Sequence, residues 1–303
     1  MEGYHVPVLL AESIRALNIV TNGCYADLTL GGGGHARAIL EALGPEGRLY
    51  CLDRDADALA NAPVDARVTA IHADYRYLGR WMEYYGVQKL DGVLADLGVS
   101  SHHFDEPRRG FTFRDDGPLD MRMNQLGGVT AAEVVQGYPE AKLAGVLRQW
   151  GEVERAEQVA QAIVQARAKT TLATTHQLRD VVLGVYPGTR EPHKALARVF
   201  QALRIEVNGE LASLEMLLKQ LPSLVRQGGR VVVLTYHSLE DRMVKRYLRG
   251  DAQCDSKVLE MRDLMGGEAG PFRLLGKAYT PDGNELHRNP RARSAKMRIA
   301  ERR

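Results

Sequence analysis

Four consecutive glycines, Gly31 to Gly34, stand between the apolar run Tyr25 to Leu30 and the helical pattern His35 to Leu43. A strand that passes into a helix through glycine constrains this chain more than any other feature. Glycine tolerates positive φ and lets the backbone approach a ligand, and the following helix N-terminus offers unpaired N–H groups. The alternation then repeats. Arg48 to Leu52 ends at Asp53 before helical sequence around Asp57, Arg67 to His72 precedes a helix-like stretch from Tyr77 to Tyr85, and Leu90 to Ala95 ends at Asp96. Strand, turn and helix in this order predict βαβ units and a parallel sheet covered on both faces.

After Asp96 the alternation stops. Residues 97–128, rich in Gly, Asp and Arg, read as an ordered loop. Helical periodicity follows over Ala131 to Gln136, Glu140 to Trp150, Val153 to Lys169, Thr175 to Val185 and Lys194 to Gln220, with Thr130 and Glu133 at capping-box spacing. The βα pattern returns with Arg230 to Tyr236 and a helix from Leu239 to Leu248, and Ala295 to Ala300 reads as a last strand. The expected organisation is an α/β core over 1–104 and 206–303, interrupted by a helical insertion over 105–205.

Composition excludes several classes. With 45% hydrophobic residues in 303, wholesale disorder is ruled out. No uncharged apolar run approaches the roughly 20 residues of a membrane span, and the N-terminus lacks the basic lead of a signal peptide. Cys24, Cys51 and Cys254 are odd in number and widely spaced, which disfavours a disulfide framework or a zinc site and fits a reducing cytoplasm. His5, His102, His176 and His193 make no metal-spaced cluster, so no metal is expected. The net charge of +2 names no partner, but Asn289 to Arg303 carries six basic residues against Glu301, which suits a polyanion.

The chemistry of the glycine turn can be narrowed. Its spacing is not a clear G-x-G-x-x-G, and Asp27 just before it would repel a pyrophosphate. That carboxylate favours a cationic or amino-bearing ligand instead. Asp53, 19 residues after Gly34, ends the second strand where a carboxylate accepts ribose hydroxyls, and Asp96 ends the fourth. Three carboxylates at strand ends suit S-adenosyl-L-methionine, which carries an ammonium, a sulfonium and an adenosine. Two other classes stay open on these grounds: a nicotinamide dehydrogenase on the same fold, and a non-catalytic RNA-binding factor.

Asp27-Leu-Thr-Leu-Gly-Gly-Gly-Gly-His35 resembles the first motif of class I methyltransferases. Together with Asp96-Leu-Gly-Val-Ser-Ser101, Gly117-Pro-Leu-Asp-Met-Arg-Met123, Phe200-Gln-Ala-Leu-Arg-Ile205, His237-Ser-Leu-Glu-Asp-Arg242 and Asn289-Pro-Arg-Ala-Arg-Ser294, it makes the chain similar to the bacterial ribosomal RNA small subunit methyltransferase H family from His5 to Arg302. The resemblance implies a Rossmann-like class I methyltransferase core with a helical insertion that recognises substrate. It implies methyl transfer from S-adenosyl-L-methionine to N4 of a decoding-centre cytidine in 16S rRNA within the small ribosomal subunit. It further implies that Gly33, Gly34 and His35 wrap the methionine end of the methyl donor, that Asp53 holds the ribose, that Tyr75 lies against the adenine, and that Asp96 faces the donor. His103 stands where the family carries a Gln.

Methylating an exocyclic amine needs alignment rather than a covalent nucleophile, whereas C5 methylation of a pyrimidine needs an attacking cysteine. No cysteine stands at the end of the fourth strand, so N-methylation is favoured. The proton acceptor stays open among Asp96, Ser100 and His237. Arg108, Arg109, Arg114 and Arg122 alternate with acids and read as an ion-paired loop at least as well as an RNA surface. Arg291, Arg293, Lys296 and Arg298 are less compensated and are candidate phosphate contacts.

Overall fold

The computed structural model describes residues 7–250 and 270–303. Helix α1 (Leu10–Leu17) precedes β1 (Cys24–Asp27), α2 (Gly34–Ala42), β2 (Arg48–Asp53), α3 (Ala56–Leu59), β3 (Val68–His72), α4 (Leu78–Tyr84) and β4 (Leu90–Asp96). Then come α5 (Ser101–Asp105), α6 (Ala131–Gly137), α7 (Glu140–Gly151), α8 (Ala156–Arg167), α9 (Thr175–Gly184), α10 (Pro192–Asn208) and α11 (Glu210–Leu224). The chain ends with β5 (Val225–Thr235), α12 (Ser238–Arg249), β6 (Phe272–Leu274), α13 (Gly283–Arg288) and β7 (Lys296–Arg302). Two units result, Met1–Gly98 with Leu211–Arg303 and Val99–Glu210, the second standing where the sequence predicts an insertion over 105–205.

The first unit is a seven-stranded sheet in the order β3-β2-β1-β4-β5-β7-β6. Strands β1 to β5 pair in parallel, with Ala26 opposite both Tyr50 and Val93, as short apolar runs joined by helices require. The last strand, to which the sequence assigns no direction, runs antiparallel: β7 pairs that way with both β5 and β6. An apolar run carries no sign of its direction. One face of the sheet packs on Leu78, Met82 and the helical repeat Leu214, Leu217, Leu218 and Leu221 of α11; the other packs on Leu17, Ala36 and Ile39. This is a mixed α/β architecture of the class the sequence predicts.

The second unit is helical around its own core, which includes Val134, Leu147, Ile163, Leu178, Leu196 and Phe200. Thr130 and Glu133 cap α6 reciprocally as expected, and Thr174 with Gln177 does the same for α9. The single helix expected over Lys194 to Gln220 is two. Gly209 adopts φ 57° and ends α10, and the apolar spacing resumes in α11 so soon that periodicity alone does not register the break.

Candidate active site

All three singled-out carboxylates lie at the carboxyl ends of adjacent parallel strands, β1, β2 and β4. Hydrogen bonds between the strand ends tie them into one structure. Thr29 Oγ1 accepts the backbone N–H of Asp96 at 2.7 Å, and Asp53 Oδ2 accepts the N–H of Gly31 at 2.9 Å. The other oxygen of Asp53 accepts from the Asp55 N–H at 2.8 Å. Part of the work of Asp53 is therefore to hold the glycine turn.

The turn itself is rigid. Gly31 and Gly33 sit at φ 48° and 73°, Asn61 Nδ2 donates to the Gly31 carbonyl at 2.8 Å, and Arg37 donates to the carbonyls of Gly32 and Asn61. A Cβ on Gly33 would lie 2.3 Å from the Asn61 carbonyl oxygen, and one on Gly34 would lie 2.1 Å from Pro7 Cγ. Both glycines are thus required by close packing within the protein. Gly33 precedes α2 and supplies no side-chain cap, so the helix N-terminus keeps donors for a ligand.

Electrostatics set these groups apart. Asp27 is fully buried; Oδ1 accepts the Thr29 N–H at 3.2 Å, while Oδ2 has no partner among the described residues. Burial pushes its carboxyl up to about 7, with the charges of Asp96 and Asp53 adding to the rise. Burial likewise raises Asp96 and lowers His35, which leaves His35 a neutral imidazole. His35 Nδ1 lies 3.9 Å from Asp96 Oδ2, and its Nε2 has no partner among the described residues. A buried, unpartnered carboxylate oxygen calls for a donor or a cation. The ammonium and hydroxyl groups of S-adenosyl-L-methionine fit such a donor set, and a pyrophosphate does not.

Tyr75 follows β3 and is half-buried, its ring 5.9 Å from the Arg54 guanidinium. Arg54 in turn bonds Asp74, which Arg76 and Ser213 also engage at 2.9 Å. His103 and Ser100 belong to the second unit. His103 is buried in α5 and stacks on Phe111 at 4.7 Å between ring centroids. His237 precedes α12 with Nε2 3.1 Å from Glu240 Oε1, while Glu240 Oε2 accepts the Tyr236 N–H at 2.8 Å. Glu240 thus caps the start of α12 through backbone N–H groups, whereas both ring nitrogens of His237 are buried without a hydrogen bond among the described residues, and His237 stays a candidate proton acceptor.

Sequence reasoning missed Tyr236. Its hydroxyl donates to Asp96 Oδ1 at 2.7 Å, and its ring occupies the space a Cβ on Gly98 would need, 2.6 Å away. The one available signal was its position at the end of the fifth strand, next to the His237 motif. Thr29 and Asn61 were missed too, because a turn residue gives no pattern to read.

Cysteine chemistry is excluded for two positions. Cys24 opens β1, where burial pushes its thiol up to about 11, and Cys51 is buried within β2 with its thiol raised further. Neither is a thiolate at neutral pH. Cys254 and His5 lie outside the described residues. The basic tail is more compensated than its sequence suggests: Arg298 binds Asp241 through two bonds of 2.6 and 3.1 Å, and Lys296 lies 3.6 Å from the same carboxylate. Arg291 and Arg293 are exposed. In the second unit Arg122 pairs with Asp120, and Arg109 is buried and donates to the carbonyls of Arg122 and Met123. Both therefore serve the loop's own structure. No helix among the described residues is long and apolar enough to cross a membrane.

The chain is 48% identical over 303 residues to a protein of Parabacteroides distasonis named ribosomal RNA small subunit methyltransferase H, covering 98% of this chain and 97% of that one. A Porphyromonas gingivalis protein of the same name is also 48% identical over 303 residues, covering 98% and 96%. Among solved structures, TrmN from Thermus thermophilus aligns with a TM-score of 0.44 at 15% identity, over all of this chain and 50% of that one. The model of the MraW methylase family matches residues 2–303, and the chain belongs to that family.

Proposed function

We propose that this chain transfers a methyl group from S-adenosyl-L-methionine to the N4 amino group of a decoding-centre cytidine in 16S rRNA. Membership of the MraW methylase family and relatives named for the small-subunit rRNA support methylation of that RNA. The single observation that carries the reading is the unpartnered oxygen of buried Asp27, beside an uncapped glycine turn and between two further strand-end carboxylates.

In this reading Gly33, Gly34, His35, Asp53, Tyr75, Asp96 and His103 form the set that holds the methyl donor. Asp27 and Asp96 attract its cationic amino-acid end, Asp53 accepts ribose hydroxyls, and Tyr75 gives the adenine an aromatic face. When bound, the donor supplies an electrophilic methyl group on sulfonium sulfur. The residues around it are of a positioning kind, and aligned reactants gain roughly 7–11 kcal/mol from proximity and orientation alone. Neutral His35 adds no positive charge to compete with the donor. The raised thiols of Cys24 and Cys51 support direct attack by the amine over a covalent route through cysteine. The helical unit of residues 99–210 serves as the substrate platform, with the target cytidine splayed out of the RNA for reaction.

The test is nucleoside mass spectrometry of 16S rRNA from cells with and without the protein, together with labelled methyl transfer to purified small subunits. N4-methylcytidine that depends on the protein is the expected result. Methylation of another nucleoside would refute the N4 assignment, and no methylation of naked RNA or subunits would leave an RNA-binding factor.

A further inference from the structure

Asp96 lies among groups that disfavour its ionised form. Burial penalises its charge, Asp27 ends the adjacent strand β1, and Glu240 comes from α12. Yet the proposed role of Asp96 toward a cationic ligand needs its charge. Three groups act in that direction: the neighbouring His35, the Tyr236 hydroxyl and the Gly98 backbone N–H. Of the two side chains, the phenol is the one in direct hydrogen-bond contact. It donates to Oδ1 at 2.7 Å, whereas Oδ2 lies on the side of His35 at 3.9 Å. Its ring is held against Gly98 by a contact that admits no Cβ, and the backbone N–H of Tyr236 is fixed by Glu240 at 2.8 Å. Ring and hydroxyl are therefore tied to the end of β4 by contacts on both sides. Burial and the charges of Asp96, Glu240 and Glu285 hold the phenol far from ionisation, so it remains a donor throughout.

We propose that Tyr236 is a positioning residue for the methyl donor: its hydroxyl engages Oδ1 of Asp96, keeps that carboxylate charged among its acidic neighbours, and leaves Oδ2 as the acceptor for the donor's cationic group. The proposal rests on the reading that Asp96 faces the methyl donor. It adds a residue that touches neither donor nor RNA and acts through Asp96 alone. A hydrogen bond to a charged acceptor is stronger than one between neutral groups, so its loss moves the carboxylate by about one pH unit.

The test is Tyr236→Phe, which removes the hydroxyl and keeps the ring against Gly98. Aspartate carboxyl NMR, with the Asp96 signal assigned from Asp96→Asn, reads the ionisation directly in the free protein. Asp96 should titrate about one unit higher in Tyr236→Phe, while Asp27 stays within a few tenths of its wild-type midpoint. Calorimetry with S-adenosyl-L-methionine should show affinity reduced about tenfold at a pH below both Asp96 midpoints and nearly restored at a pH above both, on protein with wild-type circular dichroism. In an Asp96→Asn background the Tyr236 substitution should have no effect on binding. Superimposable Asp96 titrations in the two proteins, or an affinity loss of equal size at both pH values, would overturn the positioning role. Wild-type protein that fails to bind S-adenosyl-L-methionine at the higher pH would instead sink the methyl-donor reading, and with it the role claimed for Tyr236.

Discussion

The backbone N–H of Gly31 donates to Asp53 Oδ2 at 2.9 Å, so the glycine turn after β1 is built on the carboxylate that ends β2. One side chain thus shapes the loop and, in the proposed function, receives the ribose. Asp53→Ala should weaken S-adenosyl-L-methionine binding on the order of 1.5–3 kcal/mol, or about tenfold or more. Calorimetry on a variant with wild-type circular dichroism checks this, and unchanged affinity would remove Asp53 from the site.

Asp27 makes the free protein sensitive to pH. Its carboxyl titrates near 7 in the fold against an ordinary value of 3.8, because burial penalises the charge. A folded-state pKa above the unfolded one favours the protonated fold, so this contribution is complete below about pH 4 and is lost as pH rises through about 7. Asp27→Asn has no charge to bury. Its melting temperature should gain on wild type from pH 5 to about pH 7 and level off above, while its affinity for S-adenosyl-L-methionine falls. A melting-temperature difference that stays flat across this window would show that Asp27 bears its charge at no cost.

Reaction type is tested through the cysteines. A Cys24→Ser, Cys51→Ala, Cys254→Ser variant should retain methyl transfer per folded molecule, and Asp96→Ala should largely lose it. Digestion of the product should yield N4-methylcytidine. Appearance of 5-methylcytidine, or inactivity of the folded cysteine-free protein, would defeat direct attack by the amine.

The basic tail should contribute unequally to RNA binding. Each phosphate contact removed by Arg291→Ala or Arg293→Ala should shallow the log–log salt dependence by roughly 0.7–0.9. Lys296→Ala should do less, because Lys296 already faces Asp241. Equal slopes for wild type and the Arg291, Arg293 double variant would make the tail purely structural.

Gly33→Ala should destabilise the protein by about 1–3 kcal/mol, since a residue at φ 73° would place its Cβ 2.3 Å from the Asn61 carbonyl. Denaturant unfolding measures this. Stability equal to wild type would show that the turn adapts to a side chain.

The parallel strands and the three carboxylates at their ends were legible in the chain itself, because short apolar runs closed by Asp and followed by helical periodicity have few other solutions. The capping box at Thr130 was legible for the same reason: its physics is local. What sequence could not decide is everything that depends on partners distant along the chain. The antiparallel sense of β7, the break at Gly209 within continuous apolar spacing, and the pairing of Arg298 with Asp241 57 residues away all arise from tertiary packing. So does the charge state of the site. Asp27, Asp53 and Asp96 are alike as residues, but burial and distant donors separate them. Asp27 is left half-satisfied, Asp53 is bonded to two backbone amides, and Asp96 is held by a phenol 140 residues further on.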